Sequence, residues 1–160
     1  MKKLDWIKVI LVASLFGNVT LFMNHKRADS RQELRNELLN AHIYRNLSQL
    51  EATILYQQEN NWNNEALITQ KLEDAMDSII LHMGMETDED KEDILWKLHD
   101  YMNSFKAGDG ALAVSLNDKQ RDDYIYLGEK LRSSGWTFNA GYDTSWSMFA
   151  SKVKELIEES

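Results

Sequence analysis

Four histidines, His25, His42, His82 and His99, are the residues in this 160-residue chain best suited to proton transfer or metal binding. Their spacing is the first test of either role. A helix offers two ligands to one ion when they stand three or four residues apart, as in H-E-x-x-H or E-x-x-H. Neither pattern occurs. His82 and Glu86 are four apart and His99 adjoins Asp100, but neither pair has a third ligand close in sequence. No metal site is expected, and no cofactor. The acidic run from Thr87 to Asp93 fails as a calcium loop: counted from Asp88, the obligatory glycine position holds Asp93 and the closing glutamate position holds His99. Carboxylates opening a helix explain the run, since they complement the positive end of its dipole. Gly108-Asp109-Gly110 lacks the lysine and the hydroxyl residue of a phosphate loop and reads as a turn. Ser115, Ser133, Ser134, Ser145, Ser147 and Ser151 have no histidine nearby in sequence, so no catalytic residue is assigned. Cysteine is absent, which removes thiolate catalysis, disulfides and zinc–thiolate sites.

The residue types favour contact rather than catalysis. Trp136, Phe138, Tyr142, Trp146 and Phe149 place five of the sixteen aromatic residues within fourteen positions. Aromatic side chains bring large contact area at low entropic cost and are enriched at binding hot spots. Trp62 stands alone in the polar run Asn60-Asn61-Trp62-Asn63-Asn64. Trp62, Trp136, Phe138, Tyr142 and Trp146 are therefore the candidate partner-binding residues. The competing reading makes the aromatic loop a plug for the open end of a helical domain.

The elements that must position these residues are helices. Proline is absent from the whole chain, where average use would supply several, and its absence suits helices joined by short turns. Ser30 to Glu33 has the form of a capping box, followed by Leu34, Leu38, Leu39, Ile43, Leu47, Leu50, Ile54 and Leu55 at helical spacing. That helix runs to about Glu59, and it either begins at Ser30 or continues from the segment before it. The asparagine-rich run is a turn. A second helix spans about Glu65 to Met85, with Leu67, Ile68, Leu72, Met76, Ile79, Ile80 and Met83 facing inward. Thr87 can cap a third, whose apolar face is Ile94, Leu95, Leu98, Tyr101, Met102 and Phe105. Ala111 to Leu116 is a short apolar piece. Asn117 with Gln120 caps a fourth helix that ends at Gly135, with Tyr124, Leu127 and Leu131 inward. A last helix carries Trp146, Phe149, Ala150, Val153, Leu156 and Ile157. The fold class is all-α, an antiparallel bundle of four or five helices.

Ahead of the bundle lies the apolar run from Trp6 to Met23, flanked by Lys2 and Lys3 on one side and Lys26 and Arg27 on the other. Spanning a bilayer takes about 17–25 such residues in a helix. Lys8, the one charge inside, lies a turn from the start, where its stem can reach the headgroups beside Trp6. The residues after the run are bulky and charged rather than small, which favours an uncleaved signal-anchor over a cleaved leader. The expected organisation is a membrane anchor over residues 1–28, contacting lipid through residues 6–23, and a helical domain over 29–160.

Charge is uneven along the chain. Residues 1–45 hold eight Lys/Arg against four Asp/Glu, and residues 46–160 hold ten against twenty-two. An acidic head argues against a nucleic-acid binder, which carries a basic stripe, and a basic stem suits attraction to anionic lipid. The two flanks of the apolar run point opposite ways: Lys2, Lys3 and Lys8 before it against Lys26, Arg27, Arg31 and Arg35 after it slightly favour a cytoplasmic domain, whereas the short lysine-bearing tail favours an extracytoplasmic one. The expected protein is single-pass in the cell membrane with its domain on the extracytoplasmic side. The function expected is non-enzymatic: a small bacterial envelope protein that binds another protein or assembles with itself. The rival class is a tethered enzyme or small-ligand sensor with a pocket between helices.

Overall fold

The computed structural model describes residues 2–106, 115–139 and 143–158; within the first helix it describes the backbone alone at residues 2–5, 7–10, 12, 13, 16, 17, 19, 28 and 29. The described residues form five helices and no strand: α1 (Lys2–Glu59), α2 (Ala66–Met83), α3 (Glu89–Asn103), α4 (Asp118–Ser133) and α5 (Trp146–Glu158). The all-α expectation holds. The Gly108–Gly110 turn, the apolar piece over 111–114 and Tyr142 lie outside the described residues.

The chain divides into two compact units, Met1–Arg35 and Asn36–Ser160. The first is the N-terminal part of α1. Trp6, Leu11, Leu15, Leu21 and Phe22 there are each at least 64% exposed. Among the described residues no helix is long and apolar enough to cross a membrane, so the fold stands without a demonstrated span. Lys8, Asn18 and Thr20 interrupt the apolar run. The capping box at Ser30 is not used. The helix continues through it, and Ser30 Oγ donates to the Lys26 carbonyl at 3.0 Å. In a continuous helix the N–H groups that a cap would satisfy already bond one turn back.

The second unit is organised by the inward stripe of α1, where Leu39, Ile43, Tyr44, Leu47, Leu50 and Ile54 are buried. Leu38, expected on that stripe, is 63% exposed. At 3.6 residues per turn it falls on the far side of the helix from Leu47 and Ile54, and Asn36 and Asn40 take the inward positions instead. Ile68, Leu72, Ala75, Met76 and Ile79 of α2 pack on this stripe with Leu95, Leu98 and Met102 of α3 in one core. Tyr124, Leu127 and Leu131 of α4 and Phe149, Val153 and Leu156 of α5 complete it. Leu34, also expected on the α1 stripe, is 58% exposed, and Ile80 of α2, expected inward, is 49% exposed while His82 takes an inward position. At Gly128 of α4 an added Cβ would lie 2.9 Å from Ile54 Cγ2, so the missing side chain is what admits Ile54 to the α1–α4 contact.

The helix ends follow local chemistry. Asn117 and Gln120 form the expected capping box, each side chain accepting from the other's backbone N–H at 2.9 Å. The cap of α3 is Asp88 rather than Thr87. Asp88 Oδ1 accepts from the N–H groups of Asp90 and Lys91, at 3.1 and 3.4 Å. The Thr87 N–H is instead held by Glu86 Oε1 at 2.9 Å.

The ends of α1 and α4 share one device. After α4, Gly135 takes a left-handed φ of 77°, its N–H donates to Arg132 O, and the Trp136 N–H donates to Leu131 O at 2.8 Å. After α1, Asn61 takes φ 54° and Trp62 φ 57°, and the Trp62 N–H donates to Gln57 O at 2.8 Å. These bonds across five residues are the Schellman closure, in which the residue after the left-handed one folds back on its own helix and is commonly apolar.

Candidate functional site

The Schellman closures decide where the tryptophans go. Trp136, expected among the partner-contacting residues, is fully buried. Its ring packs 5.4 Å from Tyr44 and 5.7 Å from Phe149. The single Tyr44 hydroxyl proton is shared between the carbonyls of Gly135 and Thr137, at 3.0 and 2.9 Å. Lys152 Nζ donates to Gly135 O at 2.9 Å and lies 4.6 Å from the Tyr44 ring centroid. Burial there lowers the Lys152 pKa below the usual lysine value, against the opposing pull of Glu155 and Asp143. Trp136 is therefore the plug of the competing reading, because a residue drawn back onto its helix end has no outward face.

Trp62 and Trp146 are half-buried. Trp62 packs against the core, and the Arg121 guanidinium lies 5.8 Å from its ring. Arg121 Nε in turn donates to Glu65 Oε1 at 2.6 Å, while Glu65 Oε2 accepts the Leu116 N–H at 2.7 Å. This chain of contacts ties the α1–α2 turn to the start of α4. Trp146 packs tilted against Phe149 with ring centroids 5.4 Å apart, meets His82 edge-on at 6.2 Å and carries Lys91 5.4 Å from its ring centroid. Phe138 is different: two residues beyond Trp136, it is 61% exposed.

Around Phe138 the molecule forms a shallow groove of about 390 Å³, lined by α1 through Glu51, Ala52, Leu55, Tyr56 and Glu59 and by Arg132, Thr137, Phe138 and Asn139. An ion pair contributes to its lining. Arg132 places Nε 2.8 Å and Nη2 2.7 Å from the same oxygen, Oε1, of the buried Glu51. Tyr56 stands 52% exposed on the α1 side. Two exposed aromatic rings sharing a groove with a charge pair are suited to an apolar anchor with polar contacts beside it. Glu51, Tyr56 and Arg132 escape a reading of the sequence by motif. The available signal is Glu51, a carboxylate set between Leu50 and Ile54 on the buried side of an apolar stripe.

The titratable groups elsewhere serve the fold. His82 is fully buried, with Nε2 3.7 Å from Glu86 Oε2. The Glu86 carboxylate also accepts from Asn36 Nδ2 at 3.2 Å and from the Asp88 N–H at 3.1 Å. The spacing of four thus brings His82 and Glu86 together as an organiser of the α2–α3 turn. His99 Nδ1 lies 3.5 Å from Asp100 Oδ1. Burial in the core, with Glu73 adding to it, pushes the Tyr124 phenol up to about 12. Among the described residues no group of three or more His, Asp or Glu side chains could hold a metal ion. The chain matches no protein-family profile, no curated protein and no solved structure, so the reading of its surface rests on its own residues.

Proposed function

We propose that the protein is a membrane-anchored, non-enzymatic helical module that docks a second envelope protein on the surface around Phe138. The observation that carries this reading is the exposure of Phe138 and Tyr56 in one groove with the Glu51–Arg132 pair, while the neighbouring Trp136 is buried in the core. A large aromatic ring left in water on a turn held from three sides is a pre-organised anchor, which lowers the entropic cost of docking. The acidic balance of residues 46–160 favours a partner with a cationic rim.

Residues 6–23 supply the anchor in this reading, with the helical domain on the extracytoplasmic side. Support comes from the 18-residue length of the run, its single internal charge and the exposed Trp6, Leu11, Leu15, Leu21 and Phe22. Alkaline carbonate extraction of isolated membranes tests it. The wild-type chain is expected in the pellet. Leu11→Arg with Leu15→Arg is expected to release it, since arginine near a helix centre costs about 2.5–3.5 kcal/mol per residue on insertion scales. Wild-type protein in the soluble fraction contradicts the anchor. Docking is tested separately, by partner recovery with Phe138→Ala.

A further inference from the structure

A second face lies between α1 and α2, away from the Phe138 groove. Two bonds set its register. Asn46 Nδ2 donates to Asp74 O at 3.1 Å, and Asn36 Nδ2 donates to Glu86 Oε2 at 3.2 Å. The helices are therefore antiparallel, with Leu38 level with the turn between Leu81 and Met85, and Arg45 level with Asp74–Asp77. A groove of about 290 Å³, lined in part by His42, Asp74, Asp77 and Leu81, runs between them. At the height of its upper end three apolar side chains are exposed: Leu38 of α1 at 63%, Leu81 of α2 at 46%, and Met85 just beyond α2 at 42%. Below them the two rims differ in sign. The α1 rim carries the exposed His42 and Arg45, and the α2 rim carries Asp74 and the exposed Asp77. Lys71 holds Asp74 at 2.8 Å, which leaves Asp77 as the principal acid of that rim.

We propose that this face is covered by a second copy of the chain, related by a two-fold axis parallel to α1 and α2. Such an axis exchanges the rims while keeping every residue at its own height. The α1 of one copy then lies over the α2 of the other: Leu38 meets Leu81 and Met85, and Arg45 meets Asp77, each contact occurring twice. An isologous interface requires this kind of self-complementary patch. The opposite signs at equal heights supply the complementarity, and the apolar side chains at the upper end supply the contact that excludes water. The two α1 helices run parallel in this arrangement, so both chains enter the paired domains at the same end.

Sedimentation equilibrium of the full chain in detergent tests the proposal. The wild-type chain is expected as a reversible dimer. Arg45→Asp and Asp77→Arg, both at exposed positions, are each expected to weaken the dimer by at least about tenfold, because each sets like charges opposite one another twice. Mixing the two single variants, or combining both substitutions in one chain, pairs opposite charges again and restores the wild-type association. A monomeric wild-type chain, single variants that associate as tightly as wild type, or a combined variant that stays as weak as the singles each overturns the proposal. Far-UV circular dichroism on every variant confirms that the helices are retained.

Discussion

Replacing Trp136 by alanine is expected to destabilise the helical domain by about 3–5 kcal/mol, the usual range for removing a large buried aromatic side chain. That is a large share of the roughly 5–15 kcal/mol that holds a typical domain folded. The ring is fully buried between Tyr44, Phe149 and the Lys152 stem. Its loss opens a cavity where α1, α4 and α5 meet. The backbone bond from Trp136 to Leu131 and the left-handed Gly135 survive the substitution, so the turn keeps its geometry and only the packing is lost. The rest of the cluster is too constrained to collapse into the space, because the Tyr44 hydroxyl is held by the carbonyls of Gly135 and Thr137 and Lys152 Nζ by the same Gly135 carbonyl. Urea unfolding followed by tryptophan fluorescence reads the effect as a lower midpoint at unchanged slope. A loss below about 1 kcal/mol, the level of an ordinary surface substitution, contradicts the plug assignment.

Phe138→Ala is expected to do the reverse: to leave stability within about 0.5 kcal/mol of wild type and weaken partner binding by at least about thirtyfold, the size of a hot-spot loss. The contrast follows from two positions in one turn. Trp136 is drawn inward by the helix closure, whereas Phe138 has its ring largely in water. The matched control is Tyr126→Ala on α4, where a 41% exposed ring lies against Lys130 outside the groove. Recovery of bound protein from solubilised membranes measures the difference, and equal recovery from Phe138→Ala and wild type removes the docking surface. Arg132→Ala is a poor substitute, because it leaves the buried Glu51 carboxylate without its guanidinium and disturbs the fold as well as the groove.

Helix content and order were legible from spacing and caps. The Asn117–Gln120 box and the asparagine turn fall where hydroxyl, amide and carboxylate chemistry puts them, and the apolar face of α3 follows its period. Positions decided by tertiary packing were less legible. Leu38 and Ile80 look inward by composition but face solvent, while Asn36, Asn40 and His82 are buried through partners distant in sequence or one turn away. The aromatic loop shows the same limit. A cluster of rings cannot say which ring is inside. The pair Gly135-Trp136 carries the missing signal, since a glycine at a helix end followed by a large apolar residue is the local pattern of a Schellman closure. The Asn61-Trp62 pair shares the bond across five residues, from Trp62 N–H to Gln57 O, with both residues left-handed. With Trp136 and Trp62 folded back at their helix ends, Phe138 is, among the described residues of the aromatic loop, the one whose ring is left largely in water. The groove itself depends on Glu51 meeting Arg132 across 81 positions, which no local spacing discloses.

The most direct test of a docking module is to put a photoreactive phenylalanine analogue at position 138 of the full-length chain in living cells and to irradiate intact membranes. One discrete cross-linked partner is expected from position 138 and none from the same analogue at position 126. Irradiation that yields no adduct at 138, or the same adducts at both positions, contradicts a partner seated on the Phe138 surface.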